Sequence, residues 1–191
     1  KTFGKLEARP LPERTQYPTT AFEQDERYSA KLGYMPELYI AYNGVPVGDK
    51  DELLLDFLGE ILSNSMQIGL LDELTLDNKL MYAGAVNDVR RDQGRFLVVA
   101  VPYMDAETQT YTSLKETEKL VNEAIQQLVS GNITEELVEA VRQNFYQEFD
   151  RTMEYPEMKV QLLQNAFTYQ QSIEELLQQK ERVAAITMDD I

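Results

Sequence analysis

The side chains available for chemistry are restricted from the outset, because the 191 residues contain no histidine and no cysteine. Within the chain itself this removes the residues behind most zinc sites, iron–sulfur clusters, thiol nucleophiles and imidazole general bases. Carboxylate, hydroxyl, lysine and tyrosine chemistry remains. Three acidic groups stand out: Asp49, Asp51 and Glu52; Asp72 and Glu73; and Asp189 and Asp190. All fall near expected helix starts or on polar helix faces, where negative charge complements the helix dipole or is simply solvated. Two such carboxylates would hydrolyse a glycoside only if folding set them across one cleft, and a structural role is the simpler reading.

Two other patterns invite a chemical reading. Gly44-x-x-x-Gly48-Asp49-Lys50 follows a strand and precedes a helix, as phosphate loops do. It lacks the Gly-Lys-Ser/Thr ending that supplies the lysine and the magnesium hydroxyl, and Pro46 removes a backbone donor. A serine nucleophile has neither a Gly-x-Ser-x-Gly elbow nor a histidine base. The tyrosines Tyr39, Tyr42, Tyr82, Tyr103, Tyr111 and Tyr169 pair an apolar ring with a hydroxyl suited to a peptide carbonyl. On strands, however, such residues mostly serve as the amphipathic edge of a core.

These residues depend on the elements that place them. Glu37–Asn43 is β-favouring and stops at Gly44, and Asp49 or Asp51 caps a helix with Leu54, Phe57, Leu58, Ile61 and Leu62 on one face. Ser63-Asn64-Ser65 ends that helix, and a second runs from about residue 68 to 77, with Gly69 marking close packing or a cap. Residues 81–89 and 95–103 form an antiparallel hairpin, with Met81, Ala83, Ala85 and Val89 inward. The continuous apolar run from Phe96 to Val101 places the second strand near the sheet centre or under cover on both faces.

From residue 112 onward the chain reads as helix. Ser113-x-x-Glu116 opens a helix with Leu114, Thr117, Val121, Ala124, Ile125 and Leu128 buried, ending at Gly131. Thr134 caps the next, striped by Leu137, Val141, Phe145 and Phe149. Tyr155-Pro156 starts a third, with Leu162, Leu163, Ala166 and Phe167 as its apolar face. Ser172-x-x-Glu175 opens a last helix through Leu176, Leu177 and Val183. Segregated strands and helices with a hairpin predict an α+β fold in two layers, a mainly antiparallel or mixed sheet with helices packed on one face.

Composition narrows the partners. A chain of this length buries roughly 70% of its unfolded surface and needs no disulfide or metal staples. The net charge of −15, from 33 acidic and 18 basic residues, repels phosphate backbones and anionic lipid, so neither nucleic acid nor membrane is expected. No apolar run approaches the ~18 residues of a membrane span. Absent cysteine leaves the compartment open. Residues 1–36 hold four of the seven prolines; within them Lys1–Leu6 reads as a helix finishing at Gly4, and Pro10–Pro18 as a linker. Thr187-Met-Asp-Asp-Ile191 reads as a helix beginning, so both ends suggest continuation into further sequence.

In this order the segments resemble the second structural half of a pitrilysin/insulinase-family zinc metallopeptidase. The likeness rests on Gly48-Asp-x-Asp-Glu52 before a helix ending Glu60-Ile-Leu-Ser-Asn64, and on Gly69-Leu-Leu-Asp-Glu-Leu74 leading to Leu80-Met-Tyr82. Gly131-Asn-Ile-Thr-Glu-Glu-Leu137 and Ile186-Thr-Met-Asp-Asp-Ile191 complete it. The resemblance implies a metallohydrolase half-domain of the LuxS and mitochondrial-processing-peptidase type. Residues 1–36 would be the end of the preceding half with a linker arm, and residues 37–191 the non-catalytic half.

The family's inverted His-x-x-Glu-His zinc helix is absent, so the resemblance implies no metal or catalytic residue here, and zinc in a missing catalytic half. That half, in the same or a partner chain, and a peptide substrate are the implied partners. The family also grips substrate from its non-zinc half with a pattern Leu-Arg-x-x-x-Gly-Leu-x-Tyr. Here Thr75 stands at the Arg, Lys79 at the Gly and Tyr82 at the Tyr, leaving Tyr82 as the implied substrate contact. The implied function is to help form a peptide-enclosing chamber, the parent being a zinc metalloendopeptidase and this chain inactive alone. The alternative is an inactive peptidase homologue serving as a structural or assembly subunit. A third reading, a carboxylate hydrolase outside the family, predicts two acids converging in a cleft.

Overall fold

The computed structural model describes Thr15 and residues 24–191; the expectations for Lys1–Leu6 and for Pro10–Pro18 lie outside the described residues. Residues 24–37 precede the first strand without regular structure, and Arg27 fixes them to the third helix through a two-pronged ion pair with Glu118 at 2.8 and 2.6 Å.

The sheet comprises β1 (Leu38–Asn43), β2 (Leu80–Asp88) and β3 (Arg95–Pro102), in the order β1-β3-β2 with both pairings antiparallel. The apolar run of β3 is thus explained by its central place. Phe96, Val98 and Ala100 are buried under the helices, and Leu97 and Val99 are half-buried on the opposite side. In β2 the pairing slips between Leu80 and Tyr82, so that Met81 bulges. Met81, expected inward, is therefore 48% exposed, and Leu80 takes the buried position. A two-residue hairpin, β4 (Met104–Asp105) with β5 (Thr110–Tyr111), follows β3. Its strands are too short to show periodicity. The Asp105 carboxylate holds its turn by accepting the Glu107 and Thr108 N–H groups.

Helices α1 (Glu52–Leu62) and α2 (Leu70–Leu76) pack on β2, and α3 (Leu114–Val129) packs on β3 and β1. Helix α4 (Glu135–Glu154) lies on α1, followed by α5 (Pro156–Tyr169), α6 (Ile173–Leu177), α7 (Gln179–Ala184) and a 3-10 turn over Met188–Asp190. This is the two-layer α+β arrangement, with the helices on one face of the sheet. Its core includes Phe57, Ile61, Leu71, Val98, Val121, Val141 and Val183.

Local signals account for most boundaries. Ser113 Oγ accepts the Glu116 N–H, Thr134 Oγ1 that of Leu137 and Ser172 Oγ that of Glu175. Gly131 has φ of +67°, as a helix-ending glycine does. Helix α1 departs from expectation: Leu53 rather than Leu54 is buried with Phe57 and Ile61, and neither aspartate caps the helix with its side chain. The Asp49 carboxylate instead accepts the N–H of Asp51, in the turn before it. In α4, Val138, Val141 and Asn144 are buried, with Leu137 and Phe145 at the margin. In α5 only Ala166 is buried, whereas Leu163 is 48% and Phe167 88% exposed. The expected last helix breaks at Gln178 into α6 and α7, and Arg142 of α4 pins the end of α7 by donating to the carbonyls of Val183 and Ile186.

Candidate functional site

With the helices all on one side, the other face of the sheet is partly exposed among the described residues, Val101 at one end of it being buried. Tyr82 pairs across from Val101, Gly84 from Val99 and Val86 from Leu97; on the far flank of β3, Tyr39 faces Val99 and Ala41 faces Leu97. Side chains alternate along each strand, so these residues share one face, opposite the buried Ala83, Ala100 and Val98. Tyr39, Tyr82 and Val86 are 58%, 55% and 50% exposed, which makes the surface apolar and aromatic rather than charged. Charge enters at both ends: the Glu37 carboxylate lies at the Tyr39 hydroxyl, and Asp88 pairs with Arg90 at 2.9 Å and Arg95 at 2.8 Å. Those guanidinium groups hold the Asp88 carboxyl below the usual carboxylate range.

Tyr82 lies along its strand over Gly84. A Cβ at residue 84 would stand 2.7 Å from the Tyr82 hydroxyl, so the glycine supplies the space in which the ring rests. The Tyr82 hydroxyl has no hydrogen bond among the described residues, whereas Tyr39 donates to Glu37 at 2.7 Å. Two strand spacings, about 10 Å, separate β1 from β2. The remaining tyrosines do not join them. Tyr42 is on the helix side with Phe96, Tyr103 and Tyr111 lie at the base of the small hairpin, and Tyr169 ends α5.

No arginine stands beside Tyr82 from α2. Thr75, at the position where the resemblance implies a substrate-gripping arginine, turns its hydroxyl onto the Asp72 carbonyl at 2.7 Å, and Lys79 pairs with Asp77 at 2.9 Å.

The acidic groups are absorbed into the scaffold. Glu52 accepts the Gly48 N–H at 2.6 Å, placing a carboxylate where a phosphate loop would need its anion. Gly44 and Gly94 let two backbones cross: a Cβ at Gly94 would stand 2.1 Å from the Val45 carbonyl oxygen. Asp72 is buried and accepts from Ser63 Oγ, Asn64 N and Gly69 N at 2.9–3.0 Å, fastening the loop between α1 and α2. Gly69 touches Leu62 there so closely that a Cβ would lie 2.5 Å from its carbonyl oxygen. Asp190 accepts from both Thr187 N and Oγ1, which hold its carboxyl below its ordinary value.

Sequence reasoning missed a pair of carboxylates on α1. Asp56 accepts from Asn87 Nδ2 at 2.9 Å, and burial pushes it up to about 6. Glu60 accepts from the buried Asn144 at 3.2 Å and is also raised, chiefly by burial. Their i, i+4 spacing was visible, but the amides that meet them come from β2 and α4. Both are tied to asparagine rather than opposed across a cleft. An open cleft of about 380 Å³ is lined by Glu148, Arg151, Thr152, Tyr155, Glu157 and Met158, and none of Asp56, Glu60 and Tyr82 lines it. The residues present do not fit zinc: imidazole and thiol are absent from the sequence, and among the described residues no group of three or more acids is placed to hold a metal.

A family model described as the peptidase M16 inactive domain matches residues 1–145. No curated protein matches the sequence. Among solved structures, a protease from Helicobacter pylori superposes with a TM-score of 0.71 at 16% identity, over 81% of this chain and 36% of that one. A peptidase M16 inactive domain from Pseudomonas fluorescens gives 0.65 at 16% identity, over 81% and 35%. The inactive peptidase domain of a candidate zinc protease from Bordetella parapertussis gives 0.64 at 21% identity, over 84% of both chains. The chain thus spans about a third of the length of the Helicobacter and Pseudomonas chains, and at these identities the likeness is one of fold.

Proposed function

Since this chain belongs to the peptidase M16 inactive-domain family, we propose that it is the non-catalytic half of a zinc metalloendopeptidase and forms one wall of a peptide-enclosing chamber. The partly exposed sheet face carries the reading. A sheet with helices on one side and exposed Tyr39, Tyr82 and Val86 on the other offers a mainly apolar surface, with charge at its ends, to an extended peptide. Sheet edges add backbone donors and acceptors, which give affinity with little dependence on sequence. Zinc and the residues that hydrolyse the peptide belong to the catalytic half, and residues 1–36 to the end of that half and the linker. Tyr82 contacts substrate through its unpaired hydroxyl.

The test uses the complete parent protein and a fluorogenic peptide. Tyr82→Phe and Tyr82→Ala should raise KM several-fold and leave kcat within about twofold, the pattern of lost binding shared by ground and transition states. Unchanged KM in both variants would remove Tyr82 from the site, and a parent without zinc-dependent turnover would overturn the peptidase assignment. One observation favours a second reading, an inactive homologue acting as an assembly subunit: Thr75 brings no guanidinium toward Tyr82. A parent lacking a His-x-x-Glu-His helix would decide for it.

A further inference from the structure

Helix α1 is joined to two of its neighbours by carboxylates that meet amides instead of cations. Asp56 and Glu60, one turn apart on the same side of the helix, lie beside the buried Phe57. Asp56 accepts from Asn87 of β2 at 2.9 Å, and Glu60 from Asn144 of α4 at 3.2 Å. Asn144 is 3% exposed, so its bond to Glu60 lies inside the contact between α1 and α4. The Asn144 Oδ1 in turn accepts from Ser65 Oγ at 3.3 Å, and the same hydroxyl stands 3.4 Å from Glu148 Oε1. One hydroxyl hydrogen thus serves two acceptors, and Glu60 and Glu148 are linked through a network short of donors.

The charge around the pair is negative. Glu52 acts on Asp56 from the preceding turn of α1, and Glu148 of α4, Asp56 itself and Asp72 of α2 act on Glu60. The neighbouring cations are engaged elsewhere. Arg142 of α4, 6.0 Å from the centre of the Phe57 ring, binds Glu139 and the carbonyls of Val183 and Ile186. Arg151 pairs with Glu148 at 3.3 Å, and Lys180 of α7 pairs with Asp150. On β2 the Asp88 carboxylate is taken by Arg90 and Arg95, and α3 brings the apolar Val121 and Ala124 to the shared core. Among the described residues no cation pairs with Asp56 or Glu60. Burial raises both carboxyls, Asp56 to about 6. Packing of α1 is therefore favoured below these raised values and weakened as pH rises through them, when unpaired like charges face one another across the contact.

We propose that the contact between α1 and α4 is a proton-operated joint: with Asp56 and Glu60 neutral, Asn144 and Ser65 clamp α4 onto α1, and with both ionised the stretch Asn144–Glu154 of α4 opens locally. Amide hydrogen exchange of the complete polypeptide, followed by mass spectrometry from about pH 5 to 7.5 and corrected for the intrinsic pH dependence of exchange, reads the joint. Protection within Asn144–Glu154 should fall about three- to tenfold over that range, measured against Phe96–Val101 as the reference for global opening. Glu60→Gln keeps an oxygen for Asn144 Nδ2 and removes the charge, so protection in α4 should stay level. Glu148→Gln, at a half-exposed site, should at least halve the fall. Equal change in α4 and β3, no change in either, or a fall of wild-type size in either variant would overturn the joint.

Discussion

Asp56→Asn should stabilise this domain at neutral pH, against the usual expectation that removing a hydrogen-bonded carboxylate weakens a protein. Burial raises the Asp56 carboxyl from 3.8 to about 6, opposed by the Asn87 hydrogen bond and reinforced by Glu52. In the folded state the group keeps its proton to about pH 6, whereas unfolded it releases it near 3.8. Its contribution is therefore fully present below about pH 4 and is lost as pH rises through 6. The shift corresponds to about 3 kcal/mol at ~1.4 kcal/mol per unit. Partial access to water reduces this to about 1–2 kcal/mol. The asparagine keeps an oxygen for Asn87 Nδ2.

Urea unfolding from about pH 4 to 7.5 measures the effect, with Glu73→Gln, an exposed change of equal charge, as reference. The variant should gain about 1–2 kcal/mol over the reference at pH 7.5 and show a shallower fall in stability with pH. A residual slope from Glu60, raised in the same direction, is expected to remain. Equal stability of the two variants at pH 7.5, or a wild-type slope in Asp56→Asn, would refute the argument.

Other outcomes follow from named contacts. Gly94→Ala should cost about 2–4 kcal/mol in denaturant unfolding, because its Cβ meets the Val45 backbone. Gly84→Ala meets only the movable end of Tyr82, so it should cost under about 1 kcal/mol and raise the parent's KM for peptide by displacing that ring. Arg142→Ala removes two carbonyl contacts on the end of α7 and should cost about 2–3 kcal/mol, with faster amide exchange over Gln179–Ala184. Asp72→Ala leaves Ser63, Asn64 and Gly69 donors unpaired and should lower stability by about 3 kcal/mol, read as a lower urea midpoint.

What was legible in the sequence was mostly local. Ser113, Thr134 and Ser172 announce helix starts because a cap is satisfied within three residues, and Phe96–Val101 announces a central strand because both of its faces are apolar. Leu53-Leu54-Leu55 is ambiguous for the opposite reason: three adjacent leucines fit several helix rotations, and packing against β2 selects Leu53. Met81 was misplaced because a bulge adds a residue that alternation cannot count. Beyond that bulge the alternation holds, and Tyr82 lies on the face opposite Ala83. The Asp56–Asn87 and Glu60–Asn144 pairs join residues 31 and 84 positions apart and leave no periodic trace. For α5, periodicity predicts that Leu163 and Phe167 share a side, but whether anything covers that side depends on residues elsewhere.

The order of strands carries a kinetic consequence. The β2–β3 ribbon closes across a turn of a few residues, whereas β1 must find β3 across more than fifty residues of intervening chain. Loop closure of that length comes late, so β1 is the last strand to join and the first to leave. Amides of Ile40 and Tyr42, which face β3, should then exchange faster than those of Leu97 and Val99, which face β2.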